Sequence, residues 1–252
     1  MIEHQLTLKT AAGQMSTFIC HPERGTHPVV IFYMDAPGIR EELRDMCRRL
    51  ASVGYYVMLP NLYYRSNVEE LGQYIGPEFI HVRQRVMQLK DSINIGMVMQ
   101  DTDALVAHAN ADAVGADAAA SKGPMGSVGY CMSGQYAISA AARYPDRFKA
   151  AASIYGVTLA TDRPDSAHLA ARRATAEIYI AFAENDNYVP RETVAPLRES
   201  LREGGVNAEV EIYPGVEHGF AFPQRPIYNR AAAERHWERL FALFRRNLDP
   251  IT

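Results

Sequence analysis

The stretch Gly129-Tyr130-Cys131-Met132-Ser133-Gly134 decides the fold of this 252-residue chain. It overlaps the end of an apolar segment, Met125–Tyr130, that predicts a strand, and it leads into a helical pattern over residues 134–144 that Pro145 ends. The stretch fits the G-x-nucleophile-x-G turn, in which a sharp bend lifts one reactive side chain above a sheet. Small residues stand two positions before and after the centre because the bend crowds its neighbours. The pattern therefore predicts a nucleophile elbow with Cys131 at its apex.

Strand-like and helix-like segments alternate on both sides of this elbow, which predicts a mostly parallel sheet flanked by helices. Residues 28–34 form a nearly continuous apolar run that is typical of a strand buried on both faces. The other predicted strands cover residues 5–10, 14–20, 55–59, 150–155, 178–183 and 208–213. The first two are joined as a hairpin by Ala11-Ala12-Gly13. An antiparallel start followed by a parallel order is typical of the α/β-hydrolase fold, and we expect a single α/β domain over residues 1–252.

Helices are predicted where apolar residues recur at spacings of three and four, as in Leu43, Met46, Cys47, Leu50 and Ala51. Further helices are predicted over residues 91–109, over residues 191–203 and along a C-terminal apolar stripe of Trp237, Leu240, Phe241 and Phe244. Residues 61–90 differ from the rest, because they are rich in Tyr, Glu, Gln and Arg and are interrupted by glycine and proline. We interpret this stretch as an excursion over the sheet that forms a lid or a pocket wall.

Composition excludes several classes of protein. Hydrophobic residues make up 48% of the chain, enough for a sizeable core, and the formal charge is −3 without a basic stripe that nucleic acid would require. The longest apolar runs, such as residues 29–34, are far too short to span a membrane, and the N-terminus lacks a secretory pattern. Three cysteines cannot all pair. We therefore expect a cytoplasmic protein with no nucleic-acid or membrane partner.

The position of Cys131 at the elbow apex should make its thiol chemically reactive as well as exposed. The N-terminus of the following helix carries a partial positive charge that favours a thiolate, and the Met132 backbone N–H faces the place where an oxyanion would form. Free cysteines are commonly buried apolar residues, which is the alternative interpretation of Cys131. Ser133 is a rival nucleophile, although its position two residues past the apex suits a small residue better.

The base and its orienting acid are expected after later strands, in the order nucleophile, acid, histidine. Of the eight histidines, only His218 follows the last predicted strand in a glycine-flanked loop. Asp186 lies in the loop after the preceding strand, where Glu184 competes with it, and we prefer Asp186 because it directly precedes the next helix. His218 would take the proton from Cys131, and Asp186 would hold the imidazole in one tautomer.

The chain resembles the dienelactone hydrolase family in its elbow motif, in Asp186 before Val189-Pro190 and in His218-Gly219-Phe220. The resemblance implies an eight-stranded α/β-hydrolase sheet, the triad Cys131, Asp186 and His218, and no metal or organic cofactor. It also implies a role for Asp35, which stands where the family carries a glutamate that helps to activate the cysteine. The same loop should supply the second oxyanion donor, the Ala36 N–H. Asp35 could equally be a turn residue.

Substrate choice is expected to differ from that of family members that hold a substrate carboxylate with an arginine shortly after the histidine. Here the apolar Gly219-Phe220-Ala221-Phe222 follows His218, and Arg225 is the first arginine. A buried anion needs a charged partner, so this neighbourhood would bind a carboxylate poorly unless Arg65, Arg83 or Arg85 compensates. The candidate pocket residues are Tyr63, Tyr64, Arg65, Phe220 and Phe222, and ordinary core packing is the alternative for the aromatic ones.

Two functions of different classes follow from this sequence. The first is a cysteine hydrolase, monomeric or homodimeric, that cleaves a small-molecule ester or lactone through an acyl-enzyme on Cys131. The second is a non-hydrolytic binding or redox-sensing protein in which Cys131 responds to oxidants. Cys47 is predicted to face the core, so no second thiol is expected nearby to resolve an oxidised Cys131. Turnover of short esters would separate the two functions.

Overall fold

The computed structural model describes residues 1–72 and 79–248, and eight strands form its centre. They are β1 (Ile2–Thr10), β2 (Gly13–His21), β3 (Val29–Tyr33), β4 (Tyr56–Pro60), β5 (Met125–Tyr130), β6 (Phe148–Ile154), β7 (Glu177–Asn185) and β8 (Ala208–Glu217). Their order across the sheet is β1-β2-β4-β3-β5-β6-β7-β8. The first two pairings, β1 with β2 and β2 with β4, are antiparallel, and the others are parallel. The α/β-hydrolase fold with an antiparallel start is therefore confirmed.

Helices flank this sheet between the strands. They are α1 (Glu41–Ala51), α2 (Phe79–Asp91), α3 (Ile95–Asp112), α4 (Gly134–Arg143), α5 (Ala167–Ala171), α6 (Val194–Glu203) and α7 (Arg230–Leu248). Short 3-10 turns cover Tyr64–Ser66, Cys131–Ser133 and Arg191–Thr193. The helix predicted over residues 91–109 begins later, at Ile95, because the Asn94 side chain accepts a hydrogen bond from the Met97 N–H at 3.0 Å and caps it. Asp91 instead ends α2.

The central strands are the most deeply buried part of the molecule. Every residue of β3, β4 and β5 is buried, as expected for parallel strands covered by helices on both faces. Fully burying one large apolar side chain contributes about 1.5–3 kcal/mol relative to leaving it exposed. These strands therefore provide the rigid base from which the loops at their carboxyl ends project. β8 is more exposed and lies at the edge of the sheet.

The excursion at residues 61–90 contains the turn Tyr64–Ser66 and part of α2, and residues 73–78 of it lie outside the described part of the chain. Two residues of its described part, Tyr64 and Arg65, are bonded to Asp101 on α3. Arg65 contacts both oxygens of the buried Asp101 carboxylate at 2.7 and 2.8 Å, and the Tyr64 hydroxyl donates to the same group at 2.7 Å. No helix in the described ranges is long and apolar enough to cross a membrane.

Candidate active site

Cys131 lies between the end of β5 and the start of α4 in a left-handed backbone conformation, with φ of +54°. Such a conformation is uncommon for a residue with a side chain and requires close support from its neighbours. A Cβ atom on Gly129 would lie 2.0 Å from the Ser133 carbonyl oxygen, and one on Gly134 would lie 2.2 Å from the Ser153 hydroxyl oxygen. The crowding that the motif predicts is therefore present. Cys131 itself is partly exposed.

Ser133, the rival nucleophile, is fully buried. Its hydroxyl donates a hydrogen bond to the Met34 carbonyl oxygen. This bond connects the elbow to the loop after β3, so the buried hydroxyl is engaged with the backbone.

His218 follows β8, and its Nδ1 atom lies 2.8 and 3.0 Å from the two carboxylate oxygens of Asp186. One of those oxygens also accepts the backbone N–H groups of Tyr188 at 2.8 Å and Val189 at 3.2 Å, which fixes the carboxylate. Glu184, the competitor in the same loop, is directed elsewhere. It contacts Arg191 at 2.7 Å and accepts the Gly215 N–H at 2.7 Å. Of the two carboxylates, Asp186 rather than Glu184 therefore contacts the imidazole.

The imidazole of His218 contacts two tyrosine rings, with centroid distances of 4.9 Å to Tyr155 and 4.7 Å to Tyr188. Burial lowers its pKa, but hydrogen bonding to Asp186 and the closeness of Cys131 outweigh burial and raise the pKa to about 9. Nε2 has no hydrogen-bond partner of ordinary geometry among residues 1–72 and 79–248. The structure thus brings Cys131, His218 and Asp186 together, and Nε2 is not occupied by another described residue.

Asp35 occupies the turn after β3, in which the Gly38 N–H donates to the Asp35 carbonyl at 3.0 Å. Its buried carboxylate lies 2.6 Å from Arg40 and 2.5 Å from Arg225, and both guanidinium groups stack on the Phe222 ring. Within the described residues, these arginines rather than Cys131 hold the carboxylate. Asp35 is thus part of a turn. Its carboxylate also forms a buried ion pair, expected by neither sequence interpretation, that joins the Ala36 loop to the segment after His218.

The candidate pocket residues have different surroundings in the structure. The Tyr63 hydroxyl donates to the Ala36 carbonyl at 2.7 Å and touches the Met132 sulfur at 3.5 Å, so this ring borders the predicted oxyanion site. Tyr64 and Arg65 instead bind Asp101 on α3. Phe220 and Phe222 are completely buried and pack on other aromatic rings of the core. Their burial is what the core-packing alternative for these two rings expects.

A cavity of about 260 Å³ opens beside the elbow instead. Met132, Gln135 and Tyr136 line one side of it, and residues of the loop after β6, including Val157 and Thr158, line another. Its charged rim is balanced, because Lys90 pairs with Asp91 at 2.6 Å and Arg163 pairs with Asp165 at 2.7 Å. The lining comes from distant parts of the chain, so no local pattern indicated it.

Tyr155 is the site residue that sequence reasoning missed. It directly follows β6, beside the elbow strand, and ligands of parallel α/β sheets bind at the carboxyl ends of the strands. The position of Tyr155 directly after a central parallel strand is the feature by which the sequence could have identified it. Among the described residues, no group of three or more His, Cys, Asp or Glu side chains could hold a metal ion.

Comparisons with known proteins agree with this architecture. Residues 15–248 match the model of the dienelactone hydrolase family. A protein of Escherichia coli (strain K12) named "Putative carboxymethylenebutenolidase" is 28% identical over 244 residues, which cover 95% of this chain and 85% of that protein. A solved structure from Klebsiella pneumoniae subsp. pneumoniae, titled "Putative Dienelactone Hydrolase", superposes with a TM-score of 0.80 at 25% identity, covering 96% of this chain and 98% of that one.

A dienelactone hydrolase from Anabaena variabilis superposes with a TM-score of 0.63 at 17% identity over 98% of both chains, and it supports the fold alone. The family match supports a conclusion about family membership as well as fold, because it spans nearly the whole chain, from β2 to the end of α7. This chain belongs to the dienelactone hydrolase family and is a hydrolase.

Proposed function

We propose that this protein hydrolyses a small-molecule ester or lactone through an acyl-enzyme on Cys131. His218 is the acid and base of this reaction, and Asp186 orients it. The observation that carries the proposal is the arrangement at the elbow: a cysteine at φ +54° meets an imidazole whose other nitrogen is held by a buried carboxylate. Nucleophile, base and orienting acid in this relation are what covalent acyl transfer requires.

The resting state holds the proton on His218. Its pKa of about 9 means that the imidazole is protonated at neutral pH, beside the sulfur of Cys131. The sulfur then attacks the substrate carbonyl carbon as a thiolate, forming a C–S bond while the carbonyl π electrons move to oxygen. His218 gives its proton to the leaving oxygen as the C–O bond breaks, and a thioester remains on Cys131.

The N–H groups of Met132 and Ala36 stabilise the oxyanion in both steps. Support for the Ala36 role comes from Tyr63, whose hydroxyl bonds the Ala36 carbonyl at 2.7 Å and fixes the orientation of that loop. In the second step, neutral His218 takes a proton from water, the hydroxide attacks the thioester carbon, and the C–S bond breaks. The acid leaves, and the Cys131 thiolate with protonated His218 is restored.

The substrate is proposed to be an uncharged ester or lactone. The relative from Escherichia coli carries the name "Putative carboxymethylenebutenolidase", and cleavage of a butenolide, which is a lactone, suits the same chemistry here. A substrate carboxylate, however, would have to compete with Asp35 for Arg40 and Arg225. The cavity beside Met132 has a balanced charged rim and space for a small polar group, which also favours a substrate without net charge.

Redox sensing receives no comparable support. Cys20 and Cys47 are buried, and burial raises the pKa of the Cys20 thiol to about 12 and that of Cys47 well above its usual value. Thiols of this kind are poor nucleophiles for resolving an oxidised cysteine. The three free thiols suit a reducing cytoplasm, and we propose that compartment and a monomer or homodimer as the working form.

The test is hydrolysis of p-nitrophenyl acetate by the wild type and by Cys131→Ala, with Cys20→Ala as the matched control. Removing a nucleophile costs orders of magnitude, so we expect Cys131→Ala to lose roughly a thousandfold or more in kcat. Mass spectrometry of acid-quenched wild type should find one acetyl group on Cys131. A loss below about tenfold in Cys131→Ala, with Cys20→Ala equally active, would contradict the proposal.

A further inference from the structure

The turn after β3 fixes the peptide that carries the Ala36 N–H. The Asp35 carbonyl, which belongs to the same peptide plane, accepts the Gly38 N–H at 3.0 Å. Because the carbonyl and the N–H of a trans peptide point in opposite directions, the Ala36 N–H is directed away from this bond. Ala36 is buried, and no described residue accepts a hydrogen bond from its N–H. Buried N–H groups are rarely left without a partner, so this donor suits a ligand oxygen.

The second peptide that meets at the Ala36 Cα is held by Tyr63. The Tyr63 hydroxyl donates to the Ala36 carbonyl at 2.7 Å, so each of the two peptide planes is fixed by one hydrogen bond. Pro37 gives the second plane no N–H, and its carbonyl is therefore the only group by which it can be held. The Tyr63 ring also closes on the turn, because a Cβ atom on Gly38 would lie 3.4 Å from it. The direction of the Ala36 N–H thus depends on a distant side chain.

The same hydroxyl reaches the elbow. Its oxygen lies 3.5 Å from the sulfur of Met132, the residue whose backbone N–H is the other proposed oxyanion donor. A thioether is a weak acceptor and the hydroxyl has one proton, so the carbonyl of Ala36 takes the hydrogen bond and the sulfur is a packing contact. Burial raises the pKa of Tyr63 well above its usual value, so the hydroxyl keeps its proton and remains a donor. Tyr63 therefore contacts both residues that carry the proposed oxyanion donors.

Asn61 holds Tyr63 in this place. Its side-chain oxygen accepts the Tyr63 N–H at 2.9 Å, and its NH₂ group donates to the Val68 carbonyl at 2.8 Å. The Asn61 N–H donates to the Ser16 carbonyl of β2 at 2.9 Å, which connects this segment to the sheet. Asn61 and Tyr63 are both buried. A buried polar network with its bonds satisfied is rigid, so the fold sets the position of the Tyr63 hydroxyl before a substrate arrives.

We propose that Tyr63 is a positioning residue of the oxyanion site, whose hydroxyl keeps the Ala36 N–H directed at the substrate carbonyl oxygen as that oxygen becomes negative. The proposal rests on the proposed function of Cys131. In this role Tyr63 exchanges no proton and forms no bond to the substrate, because it acts through Ala36. Its effect is confined to the steps that build an oxyanion, which are attack on the ester and attack on the thioester.

Two reactions of Cys131 separate this role from support of the fold. Ester hydrolysis builds an oxyanion, whereas alkylation by iodoacetamide displaces iodide from a CH₂ carbon and builds none. Both reactions need the Cys131 thiolate. A damaged fold or a less available thiolate therefore slows both reactions, while a misdirected Ala36 N–H slows hydrolysis alone.

The experiment compares Tyr63→Phe with the wild type in kcat and KM for p-nitrophenyl acetate, in the rate constant for alkylation of Cys131, and in Tm. Removing an oxyanion donor outright costs about 10²–10³ in kcat, and this variant only misdirects one, so we expect kcat to fall by roughly tenfold to thirtyfold. KM should change by less than about twofold, because both oxyanion-forming steps slow together. The alkylation rate constant should stay within about twofold of the wild-type value.

Tyr33→Phe is the matched control. Tyr33 is the last residue of β3, which leads into the same turn, and its completely buried hydroxyl is bonded to the Thr102 hydroxyl on α3 at 2.7 Å. This variant also loses one buried tyrosine hydroxyl, so its Tm should fall. Its kcat and its alkylation rate constant should equal those of the wild type.

Wild-type kcat in Tyr63→Phe would overturn the proposal. Equal losses in hydrolysis and alkylation would overturn it too, since Tyr63 would then support only the fold or the thiolate. Should Tyr63→Phe not fold, Asn61→Ser carries the same test, because it releases the Tyr63 N–H and keeps the hydroxyl. A wild type that neither hydrolyses the ester nor is alkylated at Cys131 would instead refute the proposed function.

Discussion

Asp186→Asn tests how His218 is held. In the wild type one carboxylate oxygen of Asp186 accepts the Tyr188 and Val189 N–H groups, and both oxygens face Nδ1 of His218. An asparagine would keep its oxygen on the two backbone donors and turn its NH₂ group toward Nδ1. Nδ1 must then be unprotonated, which puts the proton on Nε2 and prevents that atom from accepting the thiol proton.

The size of the effect follows from the His218 pKa, which is raised from 6.5 to about 9 against the opposing effect of burial. A difference of about 2.5 units corresponds to roughly 3 kcal/mol of preference for the charged imidazole. Asp186 and Cys131 supply that preference together, and the carboxylate charge is lost in the variant. We therefore expect kcat/KM at pH 7 to fall by roughly two orders of magnitude.

The assay is the pH profile of kcat/KM for an alkyl ester such as ethyl acetate from pH 5 to 10, because an alkoxide leaving group needs a proton whereas p-nitrophenolate does not. In the wild type, activity should decline as the pH rises through about 9, because His218 then loses the proton that the leaving group needs. In Asp186→Asn this alkaline decline should begin at lower pH. Glu184→Gln is the control, since Glu184 contacts Arg191 and Gly215 instead of His218. A loss below tenfold with an unmoved alkaline decline would refute the reasoning.

Three further predictions concern stability, measured by urea unfolding. Gly129→Ala should cost about 3 kcal/mol, because its Cβ would meet the Ser133 carbonyl oxygen at 2.0 Å; a cost within error of zero would contradict the elbow geometry. Arg65→Met should cost about 3 kcal/mol by leaving the buried Asp101 charge without its cation, and an equally stable variant would refute that pairing. Burial lowers the pKa of His236 to about 3, so between pH 6.5 and 3 only the unfolded chain binds a proton at this residue, and the free energy of unfolding should fall as the pH drops. His236→Gln should reduce this dependence of the unfolding free energy on pH. An unchanged pH dependence in the variant would contradict the role of His236.

Much of the fold could be predicted because each signal was local. The continuous apolar run of β3 and the alternation of elements needed only neighbouring residues. Boundaries were less secure where two local signals competed. Asp91 and Asn94 are both acceptable helix caps, and only the structure shows that Asn94 begins α3 while Asp91 ends α2. β8 runs four residues past its predicted end at residue 213, through Pro214 and Gly215, which normally indicate a turn.

The candidate site also has a part that the sequence could predict and a part that it could not. His218 and Asp186 could be found because their order along the chain is fixed by the topology, and the structure places them in contact. The ion pair between Asp35 and Arg225 joins residues 190 positions apart, and no periodicity reports such a contact. Aromatic residues such as Phe222 look the same in a sequence whether they line a pocket or fill a core, and burial alone separates the two.

The position of His218 at the end of β8 has a consequence for heat inactivation. Among the described strands, β8 is bonded only to β7, and edge elements open with less free energy than central ones. Slippage of this strand by one residue would displace the imidazole by roughly 3.3 Å, more than a hydrogen bond to Asp186 can bridge. On gradual warming, ester turnover should therefore be lost at a temperature several degrees below that at which the helical circular dichroism signal is lost. Local opening of the edge strand β8 would inactivate the protein while the rest of the molecule is still folded.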